Sequence, residues 1–296
     1  WTNKEGGHVS IYLPVILYSK DQGLQFFMSS KIAHGHHHKG FFIAHKGENK
    51  GDIMEETADG EIIKPVDFSI TRNVFAMFFS ALLLLWIFVR MGNVYKSGKN
   101  VVPRGINAFL EPMVVFIRDE IAIPNIGKEK YERYMPYLLT VFFFILLNNL
   151  MGLVPPLPPF GANVTGNIAV TMTLAVFTFL ITQFSGTKDH WRHVVAHPGV
   201  PIWLLPIMIP VEIIGLISKP FALMVRLFAN ITAGHIIVLS LVSVIFIFKT
   251  ILVAPVSIVF VLFMEILEIL VAFLQSYVFT LLSALFIGLA AKEHHH

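Results

Sequence analysis

Two long apolar stretches constrain this chain more than any other feature of its sequence. Residues 199–248 carry three charged side chains and residues 250–291 carry two. As helices rising about 1.5 Å per residue, they would be about 75 and about 60 Å long, against a hydrocarbon core of roughly 30 Å. Each stretch must therefore fold back on itself or cross a membrane at a steep tilt.

Three shorter apolar segments have the length of single membrane spans. They cover about 74–91, 135–154 and 167–184. Lys and Arg side chains follow the first span closely, whereas the connection 154–166 carries no charge. Because excess Lys and Arg mark the cytoplasmic side of a membrane protein, we expect an external N-terminus and a cytoplasmic C-terminus.

Two other segments are not expected to span a membrane. The stretch 106–123 is apolar, but Glu111, Pro112 and the charged triplet at 118–120 interrupt it. It is predicted to be an interfacial helix on the cytoplasmic face. Residues 1–67 hold short strand-like runs separated by Gly and charge clusters, which predicts a small β-rich extramembrane segment.

The predicted fold class is an all-α polytopic membrane protein with a long tilted helical hairpin, an interfacial helix and this β-rich N-terminal segment. Its divisions are residues 1–67, a membrane domain at 68–293 and a histidine tail at 294–296, to which no function is assigned. The chain starts at Trp1, which is consistent with truncation or with removal of a leader.

With 55% hydrophobic residues, 14% charged residues and a net charge of +3, the composition does not indicate a nucleic-acid partner. The absence of cysteine excludes disulfides and thiolate metal sites.

Charged residues inside the two long stretches need an explanation, because an ionised group at the centre of a bilayer costs a few kcal/mol or more (~3 on insertion scales). Glu212, Lys219 and Arg226 are spaced by seven residues, so they lie on one stripe of a helix. Asn230, four residues further on, joins this stripe. His235 lies nine residues beyond Arg226 and points to nearly the opposite side.

The second stretch adds carboxylates that could meet this helix, since Glu265, Glu268 and Gln275 share one face. Arginine keeps its proton in proteins, so Arg226 is suited to act as a fixed cation that makes a nearby carboxylic acid ionise. His235 and Glu268 can take up and release protons when their surroundings shift their pKa values. Together these residues predict a proton relay with a barrier.

Structural roles stay open for several of these side chains. Lys219 could extend its ammonium to a membrane interface, and Glu212 could be a paired structural charge. Glu265 could face a lipid head group or another subunit, and His235 could hold a satisfied hydrogen bond. A structural role for Arg226 is disfavoured, because no acid lies within one helical turn of it.

The stretch 216–235 resembles the signature of subunit a of bacterial F-type ATP synthases. The matching pattern is Ser-Lys-Pro, then Arg-Leu-Phe-x-Asn, then Ala-Gly followed by an acid or His. The resemblance covers about residues 70–291 and does not include the N-terminal segment. Asn149 resembles the asparagine of one family span, and Asn167 and Thr171 resemble polar positions of the next.

The resemblance implies a role for each matching residue. Arg226 would face the carboxylate of a rotor ring of c subunits, and Glu212 would lie near the cytoplasmic exit. The half-channel from the outer side would be lined by Asn230, His235, Glu268 and Gln275. Here the acid and the imidazole of the last two helices are exchanged relative to some members, and Gly152 stands where some members place an acid.

The family further implies b subunits of a peripheral stalk and membrane lipid as partners, the bacterial inner membrane as location, and protons as the transported ion. No cofactor is expected, and no ATP-hydrolysing site is expected on this chain. The sequence does not decide between proton and sodium as the transported ion.

The histidines of the N-terminal segment, among them His34, His36 and His45, are interpreted as solvated rather than as a metal site. A self-contained proton-coupled transporter and a structural scaffold are the alternative functions.

Overall fold

A computed structural model describes most of the chain. It covers residues 12–33, 36–44, 51–57, 60–96, 104–154, 161–188, 190–191, 204–248 and 254–291. The contacts within the chain divide it into two compact units, Trp1–Ala76 and Met77–His296. The division between the two units falls inside the first long helix.

The N-terminal unit is built from six short strands and one 3₁₀ turn at Ser29–Lys31. The strands are β1 Pro14–Ser19, β2 Gly23–Met28, β3 Phe41–Ile43, β4 Ile53–Glu56, β5 Ile62–Ile63 and β6 Val66–Asp67. They form two antiparallel three-stranded sheets, with strand orders β2-β1-β6 and β3-β4-β5. The core of the unit consists of Val15, Leu17, Phe27, Ile32 and Phe41.

Helices make up the second unit. They are α1 Arg72–Tyr95, α2 Ile106–Phe116, α3 Ile123–Ile126, α4 Tyr131–Leu153, α5 Ile168–Phe184, α6 Leu205–Phe248 and α7 Ala254–Ala291, with a π-helical stretch Ile117–Ala122 joining α2 to α3. Among the described residues, α1, α4, α6 and α7 are long and apolar enough to cross a membrane, and α5 is a shorter apolar helix of 17 residues. The predicted fold class is confirmed.

The two longest helices agree with the length argument made from sequence. Helix α6 has 44 residues and α7 has 38, so they extend over about 66 and about 57 Å. Neither helix folds back on itself. The predicted first residues of both arms, at 199 and 250, and the tail 294–296 lie outside the described residues, as do His34 and His45.

The segment predicted to be interfacial is helical from 106 to 126. Arg118, Asp119 and Glu120 are exposed, whereas Ile117 and Ile121 on its other side are buried. Arg118 donates a 2.7 Å hydrogen bond to Asp119, which holds the pKa of this carboxyl below its usual value. The apolar side of this segment packs against α4 and α7 in one core cluster, while its charged side faces outward.

Small side chains let α7 pack closely against the other helices. Its buried positions include Ala272, Ser276, Ser283, Ala284 and Gly288. A methyl group at Gly288 would overlap the backbone carbonyl of Asn125, so this contact requires glycine. Close packing through small residues is typical of helices in membranes, where no hydrophobic force drives helices together.

Candidate functional site

Arg226 lies in the middle of α6 and is exposed. Its neighbours Leu223, Met224 and Leu227 are buried against α4, α5 and α7, so α6 turns its guanidinium away from the packed side. Within the described part of the chain, Arg226 forms no ion pair and no side-chain hydrogen bond. The fold therefore presents a permanent cation on the surface of a membrane-length helix.

One turn further along α6, Asn230 contacts α7 directly. Its side-chain amide donates a 2.8 Å hydrogen bond to Oε1 of Gln275. Gln275 is buried, and its Nε2 has no hydrogen-bond partner among the described residues. An unpaired buried donor is costly, so this amide is suited to donate a hydrogen bond to a water molecule.

A small cleft next to this hydrogen bond contains the two titratable groups predicted from the sequence. It is narrow, with a cavity volume of about 20 Å³. Its lining includes Asn149, Asn230, Gly234, His235 and Glu268. Oε1 of Glu268 is buried and has no hydrogen-bond partner within the described residues. The structure thus brings an imidazole, a carboxyl group and two amides to one polar cleft between α4, α6 and α7.

Two glycines shape this cleft. A Cβ at Gly234 would lie 2.7 Å from Oε1 of Glu268, so glycine allows the carboxyl group to approach the backbone of α6. A Cβ at Gly152 would lie 4.0 Å from Nε2 of His235, which is an ordinary contact distance. Gly152, where some family members place an acid, therefore borders the imidazole of His235.

Helix α4 contributes Asn149, which is buried beside the cleft. Its Oδ1 accepts a 2.6 Å hydrogen bond from Thr165, and its amide donates to the carbonyl of Ala272 on α7. Thr165 belongs to the turn before α5 and was not singled out from the sequence. The sequence feature that could have indicated Thr165 is that it carries a hydroxyl group in the uncharged connection 154–166, which follows the span containing Asn149.

Glu212 and Lys219 lie at a different cleft between α5, α6 and α7, which has a cavity volume of about 90 Å³. Lys219 Nζ is 5.7 Å from the ring centre of Phe286, and the cleft also includes Gln183 and His190. His190 Nε2 lies 3.4 Å from Oε1 of Gln183. The structure therefore places Glu212 and Lys219 in a cleft separate from that of His235, and Lys219 turns toward α7.

Most of the polar side chains on α5 were not predicted from the sequence to be functional. Thr171, Thr178 and Thr182 are buried, and with Ala175 they recur at spacings of three and four residues. Thr178 contacts the hydroxyl of Tyr137 at 2.6 Å and that of Ser283 at 3.4 Å. The sequence feature that could have indicated a buried polar side of α5 is the recurrence of threonines at helical spacing inside an apolar run.

The remaining candidate residues from the sequence are Asn167, Thr171 and Glu265, and they line neither of the two clefts. Asn167 is the N-cap of α5 and accepts a hydrogen bond from the amide of Ala169, while Thr171 donates to the carbonyl of Ile168. These two side chains are thus satisfied within their own helix. Glu265 lies one turn before Glu268 and is partly exposed. No group of three or more metal-ligating side chains occurs in the described ranges.

Comparison with known proteins gives family matches for both parts of the chain. The model of the ATP synthase A chain family matches residues 74–288, and the Domain of unknown function (DUF8433) matches residues 1–69. ATP synthase subunit a of Chloroherpeton thalassium is 53% identical over 236 residues, which cover 78% of this chain and 69% of that protein. ATP synthase subunit a 2 of Prosthecochloris aestuarii is 49% identical over 275 residues, covering 88% and 82%. ATP synthase subunit a of Myxococcus xanthus is 50% identical over 238 residues, covering 78% and 76%.

Proposed function

Because this chain belongs to the ATP synthase A chain family, we propose that it is the stator subunit that passes protons to and from the rotor ring. In this role it offers two separate half-channels, one for each side of the membrane. Protons crossing by this route drive rotation of the ring, and ATP is made on other subunits. The chain is a multi-pass membrane protein, and we propose the bacterial inner membrane as its location.

The observation that carries this proposal is the unpaired guanidinium of Arg226 on an outward surface of α6. A charge on the lipid-facing surface of a membrane helix needs an opposite charge or a polar cavity. The described residues supply no anion to Arg226. A carboxylate that arrives on a rotor helix would provide the missing partner, and its departure would require protonation.

The cleft of His235 and Glu268 is suited to load such a carboxylate. A proton that enters from the outer side would pass between Glu268 and His235, with Asn230 and Gln275 orienting water. The rotor carboxyl, once neutral, can face lipid because its desolvation cost has fallen. Each charge that crosses contributes about 2.3 kcal/mol per 100 mV of membrane potential.

The cleft of Glu212 and Lys219 is suited to the opposite task. A protonated rotor carboxyl that comes close to Arg226 is driven to ionise, because the fixed cation stabilises the carboxylate. At about 4 Å and an effective dielectric constant near 20, this attraction is about 4 kcal/mol. The released proton would leave through the cleft beside Glu212. Asn149 supports the first cleft through its hydrogen bonds to Thr165 and α7.

The partners that follow are a ring of c subunits against α6 and α7 and the b subunits of a peripheral stalk. The external N-terminus and cytoplasmic C-terminus are proposed from the distribution of Lys and Arg along the chain. The exposed apolar side chains of α6 and α7, such as Phe221, Val225 and Ile266, fit contact with lipid or with the ring.

Reconstitution in liposomes tests whether this chain needs its partners. We expect the purified chain alone to give no proton flux in response to a membrane potential, whereas the complete ATP synthase acidifies the vesicles when ATP is added. The reason is that the two clefts are separate and only a rotor carboxyl connects them. Substrate-dependent proton movement by the chain alone would instead identify a self-contained transporter.

Replacement of Gly234 by alanine tests the position of the Glu268 carboxyl. The added methyl group would lie 2.7 Å from Oε1 and displace it. We expect ATP-driven proton pumping to fall roughly 10- to 100-fold, because small displacements of reacting groups lower reaction rates by such factors. Gly152→Ala is the matched control, because its methyl group meets its neighbours at 3.8 and 4.0 Å. Equal activity of the two variants would contradict a role for the carboxyl position.

A further inference from the structure

The sheet β2-β1-β6 of the N-terminal unit has an apolar face that is not part of the core. In the sheet β2-β1-β6, one face packs on the core through Val15, Leu17 and Phe27. Sheets with one solvated face alternate apolar and polar residues. Here the opposite face is also apolar, and the strand sequences PVILYS and GLQFFM read as strands covered on both sides.

The cross-strand pairing arranges this second face, which we call the outer apolar face, in three rows. The pairs Tyr18↔Leu24, Tyr18↔Val66, Ile16↔Phe26 and Pro14↔Met28 are directly opposite. The backbone amides of Phe68 and Ile70 donate to the carbonyls of Ile16 and Pro14, which extends the same pattern beyond β6. The rows are Val66–Tyr18–Leu24, Phe68–Ile16–Phe26 and Ile70–Pro14–Met28, and none contains a charged residue.

The outer apolar face is open in the described structure. Leu24, Phe26 and Phe68 are 67%, 67% and 63% exposed, and Tyr18 and Val66 are more than half exposed. Contiguous apolar patches of this kind mark interaction sites. Aromatic side chains with aliphatic neighbours are favoured where protein meets the surface of a bilayer.

The chain itself indicates which surface covers this face. The rows proceed along the segment 66, 68 and 70, and α1 begins two residues later at Arg72. Helix α1 is long and apolar enough to cross a membrane. Two extended residues reach about 7 Å, so the Ile70 row lies next to the point where the chain enters the bilayer. Lys20, two residues beyond Tyr18, lies at the other end of the face, where it can meet lipid phosphate.

We propose that the outer apolar face rests on the membrane surface and anchors the N-terminal unit to the lipid interface, with the Ile70 row deepest. This function is independent of proton transfer through α6 and α7. It gives the N-terminal segment a role in fixing the entry of α1 into the membrane. It also explains why both faces of β1 and β2 are apolar.

This sequence contains no cysteine, so site-directed spin labelling offers a direct test once any cysteines elsewhere in the complex have been replaced by serine. Single variants Leu24→Cys, Phe26→Cys and Met28→Cys would be labelled in the complete ATP synthase, reconstituted at one complex per lipid nanodisc. Glu56→Cys, exposed on β4 of the second sheet, is the matched control. Collision of each label with oxygen, which partitions into lipid, would be compared with collision with a water-soluble nickel chelate.

The proposal predicts a several-fold higher ratio of oxygen to nickel accessibility at position 26 than at position 56. It also predicts a ratio that rises from position 24 to 26 to 28. Nickel accessibility at 24, 26 and 28 equal to that at 56 would mean a solvated face and would overturn it. Protection of these labels from both reagents would mean that a protein subunit covers the face, which would overturn it as well.

Discussion

Replacement of Arg226 by alanine is expected to abolish ATP synthesis driven by a proton gradient. The loss should be at least about 100-fold, the size typical for removal of one preorganised charge. Without the guanidinium, the outward surface of α6 loses the fixed cation that drives a rotor carboxyl to release its proton. The measurement is ATP synthesis in inverted vesicles, together with ATP-driven quenching of a pH-sensitive dye.

Two further variants distinguish the effect of the positive charge from that of the guanidinium group and from a general disturbance of α6. Arg226→Lys keeps a cation but loses the planar guanidinium and its constant charge, so we expect it to recover little activity. Ser243→Ala, on the same helix, removes a hydroxyl that donates only to the carbonyl of Leu239, and it should retain full activity. Normal proton pumping by Arg226→Ala in an assembled complex would refute the proposed function.

The loss of Arg226 should also open a passive route. In the proposed mechanism this cation stops protons from passing directly between the two clefts. We therefore expect vesicles that contain the Arg226→Ala complex to dissipate an imposed gradient faster than the wild type. A scaffold function predicts neither effect, because it assigns no transport role to this side chain.

Helix existence and approximate length could be predicted from the sequence because the bilayer imposes them. The apolar runs predicted the helices α1, α4, α5, α6 and α7. The seven-residue spacing of Glu212, Lys219 and Arg226 similarly gave their common stripe, since helix geometry alone determines it. These features depend on local sequence and on the thickness of the membrane.

The composition of the clefts could not be predicted in the same way. Whether Asn230 meets Gln275, and whether Thr165 meets Asn149, depends on how separate helices are rotated and shifted against each other. Those parameters follow from small residues such as Gly234 and Gly288, whose missing side chains set the distance between backbones. A single sequence shows these glycines but not the atoms that approach them.

Replacement of Glu268 by glutamine is expected to produce the second large loss. Glutamine has nearly the same shape as glutamate but cannot take up or release a proton at neutral pH. Positioned acid–base groups contribute about 100- to 10,000-fold to reactions that transfer protons. We therefore expect proton-driven ATP synthesis to fall by at least about 100-fold, while ATP hydrolysis by the detached soluble sector is unchanged.

The exchange of the acid and the imidazole provides the sharpest test of this assignment. Glu268 and His235 line the same cleft, so a chain with His235→Glu and Glu268→His keeps one carboxyl and one imidazole between the same helices. If the cleft works as a proton relay, this double variant should recover much more synthesis than Glu268→Gln. A double variant as inactive as Glu268→Gln, in a complex that still assembles, would contradict an interchangeable relay, because it would mean that the carboxyl group must stand at position 268 itself.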